Sequence, residues 1–231
     1  MRTLPGITVA LLAFTAAAYR STPRVAPVPS VTHRFEPRCD PRIGIMRGDL
    51  AQAKRAARDL VDHCQVHNAP DALRADVMSV ADLAHRIAEA PDLAAAARTT
   101  ALMGAACGSC HVAASARLDL AIVTTPTAGE GPTTTQMRRH YWASDRMWMG
   151  LVGPSDTNWA AGAAVLRDPT AYVSQVSPRA TDPLKAESLA ARVADLGTQA
   201  ESAHGADRVM VYGEYLGACA TCHTLIPGAG F

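Results

Sequence analysis

The sequence predicts an all-α fold of two tandem four-helix up-down bundles, each ending in a Cys-x-x-Cys-His motif. Apolar residues recur at three- and four-residue steps over long stretches, which is the period of amphipathic helices. Two such series occur along the 231 residues, and each ends in the same pentapeptide pattern. Aromatic residues make up only 5% of the chain while alanine is abundant, which favours closely packed helices around a bulky apolar group.

The first 31 residues are predicted to be a leader and a linker. Residues 1–18 contain an apolar run that ends in small residues and is too short to span a membrane, so they predict a signal peptide. An uncleaved anchor is the alternative. Residues 19–31 contain three prolines and no helical period, which is typical of a linker. We therefore expect a periplasmic or otherwise exported protein with no stable membrane span after cleavage.

Two helical domains are predicted after this leader. The first covers residues 32–117 and the second covers residues 136–231. Residues 118–135 between them are rich in Thr, Pro and Gly, as expected of a linker. Each domain has room for four helices, and short connections would make neighbouring helices antiparallel.

The two domains are predicted to be copies of one unit. Asp49 and Asp156 are both expected to cap the second helix of their copy, and they lie 107 positions apart. The histidines of the two pentapeptides, His111 and His223, lie 112 positions apart. Nearly constant offsets indicate a tandem duplication with a short insertion in the second copy.

Each pentapeptide pattern is typical of covalent haem attachment. On a helix, residues at i, i+3 and i+4 share a face, so two thiols can add to the two haem vinyl groups while the imidazole binds iron. The motifs are Cys107-Gly-Ser-Cys110-His111 and Cys219-Ala-Thr-Cys222-His223. They predict two haem c groups, with thioether bonds to Cys107, Cys110, Cys219 and Cys222 and with His111 and His223 as proximal iron ligands.

Paired cysteines also occur in two other kinds of site. One is a redox-active dithiol, and the other is a four-thiol zinc site pooled from both pairs. Neither explains a histidine directly after the second cysteine of both pairs. The remaining two cysteines, Cys39 and Cys64, are either a disulfide or a pair of buried thiols.

Function depends on the residue that faces each iron from the side opposite the proximal histidine. His140 falls on the inward face of a predicted helix, which makes it a candidate distal ligand of the second haem. His33 lies 107 positions earlier and is the corresponding candidate for the first haem, although Pro37 and Pro41 would break its helix. Met137, one turn before His140, is the alternative ligand. The other methionines are expected to fill the core.

Two stretches leading into the motifs carry a family resemblance. They are Leu102-Met-Gly-Ala-Ala-Cys-Gly-Ser-Cys-His111 and Val211-Tyr-Gly-Glu-Tyr-Leu-Gly-Ala-Cys-Ala-Thr-Cys-His223. Each predicted unit resembles the cytochrome c′ group of four-helix-bundle, class II c-type cytochromes. The resemblance implies one haem near the end of each unit and a first-helix residue facing its distal side. It also implies a gas-accessible iron where that residue does not ligate and an electron carrier where it is methionine. A tandem chain with histidine on the first helix departs from that pattern.

The sequence therefore predicts a dihaem c-type cytochrome, not an enzyme, that transfers single electrons between redox partner proteins of the periplasm. A module that binds nitric oxide or carbon monoxide at one open haem face is the first alternative, and a haem peroxidase is the second. The net charge is +1 and basic residues are scattered, so no nucleic-acid partner is expected. A homodimer is compatible with the sequence.

Overall fold

The computed structural model describes residues 37–63, 69–116, 124–125, 132–167 and 179–226. These residues contain eight α-helices and no β-strand, which confirms the predicted all-α class. The first half of the chain contributes α1 (Pro41–Met46), α2 (Leu50–His63), α3 (Arg74–Ala88) and α4 (Leu93–Ala113). The second half contributes α5 (Pro132–Val152), α6 (Asp156–Leu166), α7 (Pro183–Ser202) and α8 (Ala206–Leu225).

Several predictions concern parts of the chain outside these ranges. They are the signal peptide, the proline-rich linker, the distal ligand His33 and the disulfide partner Cys64. Cys39 is described and is buried. Searching the described helices for a segment long and apolar enough to cross a membrane gives none.

The N-caps set the register between the two halves. Asp49 accepts a hydrogen bond from the backbone N–H of Gln52 at 2.8 Å and so caps α2, as predicted. The predicted cap Asp156 is wrong, because Ser155 caps α6 and Asp156 is the first helical residue. The equivalent caps are therefore 106 positions apart, not 107. In the sequence this register aligns His140 with Arg34; His33 itself lies outside the described residues and stays a prediction.

The prolines shorten the first helix, as expected. Pro37–Cys39 forms a 3-10 turn, and α1 begins at Pro41, in the first helical turn where proline is tolerated. The side chain of Asp40 caps α1 by accepting from the N–H of Arg42 at 3.0 Å. Helix α1 consequently has six residues, whereas its counterpart α5 has 21.

Both halves share one apolar core. Their buried side chains form a single continuous cluster, with α4 and α8 packed against each other at its centre. The two helices approach closely at Gly213, where an added Cβ would lie 3.5 Å from the Cβ of Ala101. Gly213 and Ala101 are 112 positions apart, which is also the spacing of the two motif histidines. The centre of the core therefore lies where the two motif helices meet.

Helix α5 runs parallel to α4. The indole of Trp148 covers Gly104, and further along both helices the carbonyl oxygen of Val152 contacts the imidazole of His111. The residue numbers rise together along the two helices. The end of α5 therefore lies beside the first motif.

The same helix runs antiparallel to α8. Tyr212 hydrogen-bonds to Ser144 through its hydroxyl, and Tyr215 donates to the carbonyl oxygen of His140 at 2.7 Å. Between these two contacts the residue number on α5 falls while that on α8 rises. Because α5 is parallel to α4 and antiparallel to α8, the two motif helices are antiparallel to each other.

This geometry places the two motifs at opposite ends of the α4/α8 pair. His111 lies ten residues beyond Ala101, and His223 lies ten residues beyond Gly213 in the opposite direction. At a rise of about 1.5 Å per residue, the two histidines are roughly 30 Å apart along the pair. Each motif therefore has its own surroundings.

Candidate functional site

The second motif lines a small cavity that is partly open to solvent. Helix α8 contributes the motif residues themselves, and apolar side chains make up most of the remaining wall. The lining residues are Met46, Met137, His140, Tyr141, Leu189, Ala190, Val193, Tyr215, Ala218, Cys219, Cys222 and His223.

His140 and Met137 lie in the same cavity as His223, so the structure brings the predicted proximal and distal residues of the second haem together. His140 is only 8% exposed, and burial lowers its pKa to about 4, with Arg139 and His223 lowering it as well. The imidazole is therefore neutral at neutral pH. Neutral imidazole is the form that binds a metal ion.

A glutamine is bound to this histidine. The side-chain nitrogen of Gln136 lies 3.0 Å from Nε2 of His140, and Gln136 is itself buried. An amide NH₂ group only donates, so Nε2 of His140 is the acceptor. Ligation of iron by that nitrogen requires Gln136 to give up this hydrogen bond.

The thiols of the second motif have the opposite character to a redox dithiol. Burial raises the pKa of Cys219 to about 12 and also raises that of Cys222. Redox-active and nucleophilic cysteines instead have lowered pKa values, because the thiolate is the reactive form. The surroundings of these thiols therefore argue against a disulfide oxidoreductase.

The first motif is fixed by a hydrogen bond to the other half of the chain. Nδ1 of His111 lies 2.9 Å from the carbonyl oxygen of Val152. A carbonyl only accepts, so Nδ1 carries the proton and Nε2 is the basic nitrogen. Iron-binding histidines usually have this arrangement, in which a backbone carbonyl fixes the tautomer and the orientation of the ring.

The thiols of this motif are half-buried on the same helix as His111. Burial raises the pKa of Cys110, and the nearby carboxylate of Asp76 raises it further. The predicted distal ligand of this site, His33, lies outside the described residues.

The geometry is incompatible with a zinc site pooled from both cysteine pairs. The first pair lies on α4 beside the end of α5, and the second lies on α8 facing Met137 and His140 in the earlier part of α5. From His140 to Leu151 alone, α5 rises roughly 17 Å at about 1.5 Å per residue. Across the described ranges, no three His, Cys, Asp or Glu side chains are grouped closely enough to hold a metal ion.

Three residues near the two motifs are not among the site residues predicted from sequence. Met46 lies in the core, as predicted, and it also lines the cavity of the second motif. The Val152 carbonyl, which contacts His111, and Gln136, which contacts His140, are absent from the sequence prediction. Gln136 could have been found, because residues four apart on a helix are neighbours. Met78 and Met210 were also expected in the core but are 55% and 59% exposed.

No known protein family, curated protein or solved structure gives a significant match to this chain. The resemblance to the cytochrome c′ group therefore depends on the motif stretches alone.

Proposed function

We propose that the protein is an exported dihaem c-type cytochrome that transfers single electrons between redox partner proteins. The observation that carries this proposal is the cavity at the second motif. Cys219, Cys222 and His223 line it together with His140 and Met137, so attachment groups and candidate axial ligands surround one space. Bound haem would supply one-electron redox chemistry and a site for axial ligands.

The residues of both motifs suit this cofactor. Cys219 and Cys222 would form the thioether bonds at the second site, and apolar residues of α7 such as Leu189 and Val193 would pack on the porphyrin. At the first site, the hydrogen bond from Nδ1 of His111 to Val152 leaves the basic Nε2 for iron. A doubled attachment motif is specific for this chemistry.

The proposed fold is two units of the cytochrome c′ type in tandem. Helices α1–α4 form the first four-helix unit and α5–α8 form the second, with a haem motif on the last helix of each. The equivalent close approaches of α1 to α2 and of α5 to α6 support this. A Cβ on Gly44 would overlap Ala53, and a Cβ on Gly150 would lie 2.8 Å from Cβ of Trp159, with both pairs related by 106 positions.

Electron transfer would use the two ends of the molecule. At a rise of about 1.5 Å per residue along α4 and α8, the two motifs are roughly 30 Å apart. At this separation each motif can contact a different partner protein at the same time. Three buried rings lie between the sites. Trp148 and Tyr212 have centroids 6.1 Å apart, and Tyr212 and Tyr215 have centroids 6.3 Å apart. Tyr215 lines the second cavity, and Trp148 lies on Gly104 of α4, so these rings support passage of an electron between the sites.

One observation favours gas binding at the second site as the second candidate function. Gln136 already occupies Nε2 of His140, so that histidine can stay off the iron and leave an axial position for nitric oxide or carbon monoxide.

Spectroscopy of the haem-loaded protein distinguishes the two functions. Absorption and electron paramagnetic resonance spectra would be recorded in both oxidation states, with and without carbon monoxide. Low-spin signals at both haems that carbon monoxide leaves unchanged are the expected result for an electron carrier. A high-spin signal that carbon monoxide converts at the second haem would instead establish the gas-binding function.

Variants of the cysteines and of the candidate distal ligands test the role assigned to each residue. Replacing Cys107 and Cys110 by Ser should leave one covalent haem per chain, as should replacing Cys219 and Cys222. Two haems remaining attached in either variant would refute the assignment of that motif.

In the variant that keeps the second motif, His140→Ala and Met137→Leu are compared. The substitution that converts the haem to high spin identifies the distal ligand.

A further inference from the structure

We propose that each haem motif is positioned by the opposite half of the chain, so that the end of α5 orients His111 and the end of α1 orients the second motif. This inference rests on the proposed function, because the motifs are taken as haem-attachment sites. It assigns a positioning role to residues of α1 and α5 that lie outside both pentapeptides.

At the first site the contact comes from the second half. The carbonyl oxygen of Val152 accepts the Nδ1–H of His111 at 2.9 Å. One turn earlier on α4, Gly108 has no side chain, so the end of α5 can approach closely. A Cβ there would overlap the carbonyl oxygen of Leu151 and would lie 3.3 Å from Cδ of Pro154.

At the second site the contact comes from the first half. Met46, the last residue of α1, lines the cavity together with His223. Gly48, two residues later, packs on α8. A Cβ on Gly48 would lie 2.9 Å from Cγ2 of Thr224 and 3.2 Å from the carbonyl oxygen of Ala220. Gly48 also has a φ of +72°, a conformation that residues with a side chain rarely adopt.

These are two versions of one contact. Gly48 and Pro154 are 106 positions apart, which is the register set by the helix caps, and Gly108 and Ala220 are 112 apart, which is the register of the motifs. Gly48 packs on Ala220, and Pro154 packs on Gly108. The duplicated halves therefore exchange the ends of their first helices, and each end lies on the motif of the other half.

The exchange has a chemical consequence. A hydrogen bond from Nδ1 to a carbonyl raises the basicity of Nε2, which strengthens donation to a bound metal and favours its oxidised state. The strength of His111 as a ligand is thus set by a residue of the second half. Displacing the end of α5 should raise the midpoint potential of the first haem.

The decisive test changes one half and observes the haem of the other. Gly48→Ala is introduced into two full-length single-haem backgrounds. One keeps the second motif (Cys107→Ser with Cys110→Ser), and the other keeps the first (Cys219→Ser with Cys222→Ser). The midpoint potential and the paramagnetic resonance spectrum of the retained haem are measured. The proposal predicts a shift at the second haem and none at the first.

A glycine in the second half provides the matched control. Gly205 also has a positive φ, +50°, but a Cβ there would meet nothing within 4 Å. Gly205→Ala thus imposes backbone strain without touching a motif, and it should leave both haems unchanged. A double variant, Gly48→Ala with Thr224→Ser, removes the methyl group that the new Cβ would crowd. The spectrum of the second haem should then return part of the way to that of the parent protein. A simple folding defect would not be reversed in this way.

A reciprocal variant examines the first site. Gly108→Ala makes the first motif Cys-Ala-Ser-Cys-His, and alanine already occupies the equivalent position 220 of the second motif. Haem attachment should therefore persist while the end of α5 is displaced, and the potential of the first haem should rise with no change at the second. An unchanged first haem would overturn the proposal at this site.

The remaining outcomes are also decisive. A shift at the first haem in Gly48→Ala, or no shift at either haem, overturns the exchanged arrangement. If the parent backgrounds carry no covalent haem, the proposed function fails instead, and counting haem per chain before any potential is measured separates that failure from this one.

Discussion

The hydroxyl of Tyr215 donates to the carbonyl oxygen of His140 at 2.7 Å, so a residue of the second motif helix holds the backbone of the candidate distal residue. Tyr215 is fully buried and also lines the cavity. The bond links the two walls of the second site. It therefore fixes where His140 lies relative to His223.

Tyr215→Phe should remove this bond and leave the ring in place. We expect a loss of about 1 kcal/mol in the free energy of unfolding, the usual net worth of a buried hydrogen bond. The spectrum of the proposed second haem should also change. Tyr212→Phe is the control, because Tyr212 hydrogen-bonds to Ser144 and does not line the cavity. It should destabilise to a similar extent in urea titrations and leave the haem spectrum unaltered, and equal spectral changes in both variants would contradict the prediction.

Tyr212 should make the protein less stable in alkali. Burial raises its pKa to about 12, although Arg42 and the hydrogen bond with Ser144 act in the opposite direction. In the unfolded chain the pKa of tyrosine is about 10, roughly two units below that of Tyr212 in the folded protein. Each unit of difference in pKa corresponds to about 1.4 kcal/mol of free energy. Between these pH values the folded state binds more protons than the unfolded state, so the free energy of unfolding falls as pH rises, by roughly 3 kcal/mol in total. Urea titrations from pH 9 to 12 should show this fall in the native protein and a shallower one in Tyr212→Phe.

The ion pair of Arg42 with Asp40 should be important for stability because both side chains are 7% exposed. Asp40→Asn keeps an N-cap for α1 but leaves the guanidinium with Asp145 at 3.6 Å as its remaining ion-pair partner in the described residues. We expect a loss of about 3 kcal/mol in urea titrations, since breaking one side of a buried pair strands a charge.

The exposed pair of Arg192 with Glu214 provides the comparison, with side chains 40% and 53% exposed. Glu214→Gln should cost less than about 1 kcal/mol, as is usual for surface ion pairs. Similar losses for Asp40→Asn and Glu214→Gln would show that burial of Arg42 does not matter to stability.

Substitution by alanine should affect stability differently at two glycines of the motif helices. A Cβ on Gly104 would lie 2.5 Å from Cζ3 of Trp148, so Gly104→Ala should overpack the core and cost about 1–3 kcal/mol. A Cβ on Gly217 would meet nothing within 4 Å, so Gly217→Ala should be neutral or stabilise α8 by about 0.5–1 kcal/mol. Thermal melts of both variants would measure the difference. A destabilised Gly217→Ala together with a neutral Gly104→Ala would contradict the packing described for α4 and α5.

Local pattern was sufficient to predict the helical class and the cap of one helix. Asp49 caps α2, as its position before an apolar period predicts. Helix spacing also placed His140 and Met137 on one face, and both line the same cavity. These features depend on residues only a few positions apart, which is the range over which a helical period carries information.

Contacts between the halves could not be predicted in the same way. The bond between His111 and Val152 joins residues 41 positions apart and uses a backbone carbonyl, which leaves no mark on side-chain composition. The approach of Gly48 to Thr224 depends on how two helix ends meet in space. A duplicated sequence has the same pattern whether its copies fold separately or exchange elements, so only the three-dimensional arrangement distinguishes them.

The exchanged helix ends determine the order in which a chain that folds from its N-terminus can complete its contacts. The carbonyl that orients His111 belongs to residue 152, so the first motif precedes in the chain the group that holds it. Gly48, which packs against the second motif, lies in the first half and therefore precedes that motif. Contacts across such long stretches of sequence close slowly, since a large loop must be ordered before they form. The first half should thus stay incomplete until α5 arrives, whereas the second motif should meet a partner segment that is already in place.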